Sequence, residues 1–205
     1  MKVEVIVAGH GGQGVLELAN NVSYYFIMKG RHAAFTPSYG PESRGGKVKC
    51  YVVGSEEEID SPIVEAPDFL VVMNIPSMDY ASMLKKGGTL LANTSLVTTS
   101  PARTDIRVYG IPATDIASGL KRYAPEAGRD TSIAANSVML GAYLALTEED
   151  VEREIEALRG VFSHFLTDRK AAYIPLNLQA VREGFAYVRS GKAEGIRPPT
   201  EVMAR

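Results

Sequence analysis

The sequence predicts a three-layer α/β domain, a mainly parallel sheet with helices on both faces, and three observations lead there. Short runs rich in β-branched residues recur through the first half of the chain, each closed by turn formers. Stretches with apolar residues at three- and four-residue spacing separate or follow them. Parallel neighbours need long crossover connections, so strands interleaved with helices imply a parallel sheet covered on both sides.

Residues 3–8 (VEVIVA) are β-branched and mostly apolar and stop at a glycine cluster, which reads as a buried parallel strand. From Gly14 to Met28 the positions Val15, Leu18, Ala19, Val22 and Phe26 make the stripe of a helix laid on a sheet, and Gly30 supplies its C-cap. A short strand at 32–35 leads into residues 37–46, where two prolines and three glycines argue against regular structure. Alternation returns at Val48, Cys50 and Val52, and residues 69–73 form another buried strand after the turn at 66–68. Residues 76–84 suit a helix, 89–92 a strand and 106–109 the last strand.

The second half reads as helical. Residues 133–146 are apolar nearly all round, which fits a helix buried under other elements or at an interface. Thr147 reads as the N-cap of the next helix, whose face is Val151, Ile155 and Leu158. A final helix spans 176–189 with Leu178, Val181, Phe185 and Val188 on one side. Residues 1–190 are thus one domain, and 191–205, with Pro198 and Pro199, a mobile tail.

Composition excludes several function classes. The formal net charge is −2 and basic residues are scattered, so there is no footprint for nucleic acid. No stretch approaches about 18 uninterrupted apolar residues, and the start runs straight into a strand pattern, which implies a cytoplasmic protein without a membrane partner. Cys50 is the sole cysteine and cannot supply the thiolates of an iron–sulfur cluster or structural zinc site. It reads as a small core hydrophobe. His10, His32 and His164 are too dispersed to argue a metal site.

Two segments carry candidate chemistry. Gly9-His10-Gly11-Gly12-Gln13-Gly14 matches G-x-G-x-x-G between a first strand and a first helix, the Rossmann-like position where backbone N–H groups approach an anion. The acidic residue that would hold a nicotinamide ribose about 20 positions on is missing, although Arg31 leaves a 2′-phosphate open. A turn that merely packs helix on strand explains the same glycines, as does a phosphate or protein-interface role. In residues 38–46, Tyr39, Glu42, Arg44, Gly45 and Gly46 gather a phenol, a carboxylate and a guanidinium on a chain stiffened by Pro41. Arg44 suits a phosphate or carboxylate, and an exposed Glu42/Arg44 pair is the plain alternative. Gly9, Gly11, Gly12, Gln13, Gly14, Tyr39, Glu42, Arg44, Gly45 and Gly46 are therefore the candidate cofactor-binding residues, and no residue is assigned a catalytic role.

The strings VAGHGGQGV (7–15), SYGPESRGG (38–46) and IPATDIA (111–117), with SVMLGAYL (137–144) following in order, resemble the gamma subunit of 2-oxoacid:ferredoxin oxidoreductases, the pyruvate/ketoisovalerate oxidoreductase family. The resemblance covers about residues 3–190. It implies a chain that works only inside a larger enzyme, which decarboxylates a 2-oxoacid on thiamine diphosphate, reduces ferredoxin through 4Fe-4S clusters and passes the acyl group to coenzyme A. This chain has no GDG…NN pattern for thiamine diphosphate and magnesium, its Asn20-Asn21 lying inside the first helix. The resemblance implies that those cofactors sit on alpha, beta and ferredoxin-like delta partners, with coenzyme A as a shared substrate for which the glycine turn and Arg44 are this chain's best anion sites. The Tyr-Gly-Pro-Glu form of the loop is closer to the 2-oxoglutarate and branched-chain types than to the pyruvate type, although Ser43 stands where a methionine usually follows. The expected substrate is 2-oxoglutarate. The rival readings are the small subunit of an indolepyruvate:ferredoxin oxidoreductase and a stand-alone nucleotide-binding regulatory module.

Overall fold

The computed structural model describes residues 1–40, 46–125 and 130–196 of the chain. Its centre is a six-stranded sheet. The strands are β1 (Lys2–His10), β2 (His32–Tyr39), β3 (Lys47–Ser55), β4 (Phe69–Val72), β5 (Thr89–Asn93) and β6 (Arg107–Ile111), in the order β2-β3-β1-β4-β5-β6. β1, β4, β5 and β6 pair in parallel, and β3 runs antiparallel to both β1 and β2. Only β3 is reversed, so the carboxyl ends of β1, β2, β4, β5 and β6 share one edge of the sheet.

Period-two alternation splits β1 between two cores. Val5 and Val7 pack with the helices, while Ile6 and Ala8 join Leu70, Val72, Leu90 and Ala92 on the other face. The helical face carries α1 (Val15–Met28), α2 (Ala113–Ser118), α3 (Ala135–Thr147), α4 (Val151–Phe165) and α5 (Ile174–Arg189). The opposite face is covered by the 3₁₀ helix Ile75–Met83, through Met78, Ala81 and Leu84, and by loop residues Val64 and Val97. The α/β fold class read from the sequence holds, with this thinner layer as its second face.

Several elements differ from their sequence reading. β2 does not stop at Phe35 but continues through Pro37 to Tyr39, because it is an edge strand paired only with β3, where a missing N–H is tolerated. Residues 75–83 wind as 3₁₀ rather than α-helix, started by Asn74, whose Oδ1 accepts from Ser77 N (3.1 Å) and Ser77 Oγ (2.8 Å). Thr147 closes α3 instead of opening α4, and Asp150 is the cap, accepting from Glu152 N at 3.0 Å. Residues 191–196, assigned to the tail, run beside β6: Gly110 N donates to Ala193 O (2.7 Å) and Gly195 N to Val108 O (3.0 Å). Residues 197–205 lie outside the described residues. Gly30 ends α1 as expected, with φ 73° and Arg31 N donating to Phe26 O at 2.9 Å.

α3 is buried within the chain itself, from Ala135 to Ala145. It crosses α5 so closely that a Cβ on Gly141 would stand 2.0 Å from Val181 O, and one on Gly184 1.9 Å from Val138 O. The α1–α4 contact holds a buried carboxylate, Glu154, which accepts from Tyr25 OH (2.6 Å) and Lys29 Nζ (2.9 Å).

Gly141→Ala and Gly184→Ala are each expected to cost about 3 kcal/mol or more, the upper range for overpacking. For a domain of this size that lowers the melting temperature by roughly 6–12 °C. Thermal unfolding checks it, and unchanged melting would contradict the helix crossing.

Candidate functional site

The glycine-rich segment joins β1 to α1 at the carboxyl edge of the sheet, beside β4, where the connections leave for opposite faces. Such a switch point is where open α/β sheets place ligands. Gly9 is still in β1 and buried, while Gly11 and Gly12 are exposed. Gly12 has φ 93°, and Gly14, the N-cap of α1, has φ 70°. Among the described residues no side chain caps α1, and its first-turn N–H groups, which have no intrahelical acceptor, face the end where an anion could approach.

Gln13 is the joint of the turn. Its Oε1 accepts from His10 N and from Asn74 Nδ2, both at 2.8 Å, and its Nε2 donates to Met73 O at 3.4 Å. Of the residues expected to bind a cofactor, Gln13 is thus occupied in tying the turn to the end of β4.

The structure brings the two sequence segments together. Gly11 N donates to Gly46 O at 3.1 Å, and the β2–β3 hairpin is closed by Gly40 N on Lys47 O at 2.8 Å. Tyr39 projects at the end of β2, 62% exposed. Glu42, Arg44 and Gly45 lie outside the described residues.

Three asparagines and a glutamate complete this edge, and none stood out in the sequence. Asn74 links Gln13 to the 3₁₀ helix. Asn93, at the end of β5, accepts through Oδ1 from Ala113 N (3.1 Å) and donates to Thr114 Oγ1 (3.0 Å), which fixes the start of α2. The IPATDIA stretch therefore sits on the same edge. Asn136, in the first turn of α3, fills the space that a Gly14 side chain would need: a Cβ there would lie 2.6 Å from its Nδ2. Asn136 Nδ2 is buried and, among the described residues, makes no hydrogen bond of good geometry, although it stands near enough to the Glu17 carboxyl to act on it. Burial pushes the Glu17 carboxyl up from its ordinary value, with Asn136 and Lys170 pulling it back. The only amide signal available was Asn136 standing directly before the apolar run of α3.

Cys50 is fully buried in β3 and burial alone pushes its thiol up to about 11, so it is a core residue. Among the described residues no three His, Cys, Asp or Glu side chains gather closely enough to hold a metal. No helix there is long and apolar enough to cross a membrane.

A model of the pyruvate ferredoxin/flavodoxin oxidoreductase family matches residues 4–187. The ketoisovalerate oxidoreductase subunit VorA of Methanothermobacter marburgensis is 38% identical over 191 residues, which are 92% of this chain and 37% of that protein. This chain thus spans little more than a third of that relative. The 2-oxoglutarate synthase subunit KorC of Methanocaldococcus jannaschii is 38% identical over 169 residues, covering 76% of this chain and 82% of KorC. The pyruvate synthase subunit PorC of Methanothermobacter marburgensis is 28% identical over 174 residues, 82% of this chain and 92% of PorC. Among solved structures, the gamma subunit of a keto/oxoacid ferredoxin oxidoreductase from Geobacter sulfurreducens superposes with a TM-score of 0.72 at 28% identity, over 93% of this chain and 98% of that one. A 2-oxoglutarate:ferredoxin oxidoreductase from Magnetococcus marinus shares the fold, with a TM-score of 0.75 at 20% identity, over 96% of this chain and 33% of that one.

Gly12→Ala is expected to cost about 1–2 kcal/mol from its left-handed backbone alone, and Gly14→Ala clearly more, because Asn136 must also move. Urea unfolding separates them, and equal losses would contradict the Gly14–Asn136 contact. Glu17 titrates higher in the folded chain, so the folded state holds its proton more tightly. The resulting penalty is absent below about pH 4.5 and grows as pH rises through the folded value. Glu17→Gln should therefore stabilise the chain at pH 7 and have little effect at pH 4, as read by unfolding at both pH values.

Proposed function

The chain belongs to the pyruvate ferredoxin/flavodoxin oxidoreductase family, and from that membership we propose that it is the gamma subunit of a cytoplasmic 2-oxoacid:ferredoxin oxidoreductase. The observation that carries the reading is convergence. The glycine turn, Gly46 of the hairpin and the start of α2 lie at the carboxyl edge of one sheet and belong to three of the stretches that resemble the family, and Asn136, which fills the space beside Gly14, directly precedes the fourth.

In this proposal the alpha, beta and delta partners hold thiamine diphosphate, magnesium and the 4Fe-4S clusters, and electrons leave to ferredoxin. This chain's own part is binding and shaping. The uncapped first turn of α1, with the Gly9–Gly14 backbone, offers N–H donors and the positive end of a helix to a phosphate oxygen of coenzyme A. Arg44, outside the described residues, is the side chain whose guanidinium fork suits a phosphate. Gln13 and Asn74 hold that backbone still, so its donors point one way before the ligand arrives.

The 2-oxoacid proposed is 2-oxoglutarate, with a branched-chain 2-oxoacid as its nearest competitor. KorC and VorA relatives both reach 38% identity, against 28% for the PorC relative. The assembled enzyme, assayed anaerobically by dye reduction, is expected to turn over 2-oxoglutarate or 3-methyl-2-oxobutanoate in preference to pyruvate and aryl pyruvates. A preference for aryl pyruvates would overturn the assignment. Arg44→Ala in the assembled enzyme is expected to raise the KM for coenzyme A about tenfold, the loss of one charged hydrogen bond. Unchanged KM and kcat would remove coenzyme A from this chain.

A further inference from the structure

The starts of three long helices meet behind the glycine turn. Asn136, in the first turn of α3, lies against Gly14 at the head of α1. Its neighbour Ser137 donates through Oγ to Asn177 Oδ1, near the start of α5, at 2.6 Å. Among the described residues no side chain caps α1, α3 or α5, so the positive ends of three dipoles favour an anion where they meet. Asn136 is 2% exposed, and its Oδ1 accepts from Ser137 N at 2.8 Å while Nδ2 stands near the Glu17 carboxyl.

One carboxylate is already at this place. Glu17 belongs to the first turn of α1 and is half-buried. Among the described residues the groups that act on it are Asn136 of α3 and Lys170 of the 3₁₀ helix Asp168–Tyr173. α5 brings the neutral Asn177. α4 packs farther along α1, where Glu154 pairs with Lys29 and His164 stacks on the Tyr24 ring. A phosphate bound at the head of α1 would stand within a few ångströms of Glu17, and like charges so close disfavour each other's ionised form.

Asn21 offers Glu17 a second partner. It follows one helical turn later on the same face of α1, is 1% exposed, and has neither Nδ2 nor Oδ1 in a hydrogen bond among the described residues. A neutral carboxyl donates once and accepts once, so it satisfies both ends of a carboxamide, whereas a carboxylate satisfies only Nδ2. An unpaired carboxamide buried within a helix is costly, and this second place for Glu17 accounts for it.

We propose that Glu17 is a two-position competitor for the anion site of α1: as a carboxylate it stays by Asn136 and Lys170 and opposes a phosphate, and when a phosphate binds it takes a proton from solvent and turns to the Asn21 carboxamide. The proposal rests on the coenzyme A reading above. Binding is then coupled to proton uptake, so affinity is highest where Glu17 is already protonated and falls as pH rises through its folded value.

The test is anaerobic isothermal titration of coenzyme A into the assembled enzyme, between pH 5 and pH 8, in buffers of different ionisation enthalpy. Wild type and Glu17→Gln share the titration of the ligand's own phosphates, so the difference between them reports Glu17. Glu17→Gln is expected to bind about tenfold more tightly at pH 8, the order expected for removal of a nearby like charge, with the advantage shrinking towards pH 5. It should also take up fewer protons per coenzyme A than wild type. Asn21→Leu should lower proton uptake towards the Glu17→Gln value and weaken binding at pH 8. Should Glu17→Gln fail to assemble, the proton uptake of Asn21→Leu decides the matter. Equal proton uptake and parallel affinity profiles for wild type and both variants would overturn the competitor while leaving coenzyme A bound. An enzyme that binds no coenzyme A would overturn the coenzyme A reading, and this proposal with it.

Discussion

A single carboxamide holds the working edge of this molecule together. Gln13 closes its own turn through His10 N, reaches across to Met73 O and receives Asn74 Nδ2, which couples β1, α1 and β4 at the point where the chain divides between the two faces of the sheet. Asn74 passes the constraint on by starting the 3₁₀ helix that covers the second face. Removing the carboxamide would leave His10 N without its acceptor and Asn74 Nδ2 without its own, and a buried polar group so orphaned costs about 1–3 kcal/mol. The glycine turn keeps its shape because this joint is made, and the direction of the α1 N–H groups follows from that shape.

Most of the architecture was legible in the sequence, and the exceptions have particular causes. β1, β4 and β5 announce themselves because strands buried on both faces must be continuously apolar. The end of β2 was hidden by Pro37, which breaks an interior strand but is tolerated on an edge, and edge position is a tertiary fact. Thr147 and Asp150 are equally good caps in isolation, and α3 running on to Thr147 decides between them. The Gly141–Gly184 crossing left no readable pattern, since each glycine looks unremarkable until the other helix arrives.

The site divides in the same way. Its glycines were visible because left-handed backbone and close approach leave few other choices, as Gly12 and Gly14 show. Their partners, Asn74, Asn93 and Asn136, were silent because an amide gives no periodicity and no charge. Gly46 was named from its loop, but its bond to Gly11 depends on hairpin register and could be read only from the fold. The result is an edge whose rigid parts are amides and glycines and whose exposed parts include the N-terminal turn of α1 and apolar side chains, a combination suited to binding and positioning.

The central claim is that this chain functions only with partners. Anaerobic affinity purification from its own cells, with co-purifying polypeptides identified by mass, tests it most directly. The account predicts recovery with a chain that carries the thiamine diphosphate GDG…NN pattern and with a chain that carries cluster cysteines. Recovery of the chain alone, stable and saturable by a free nucleotide, would contradict it.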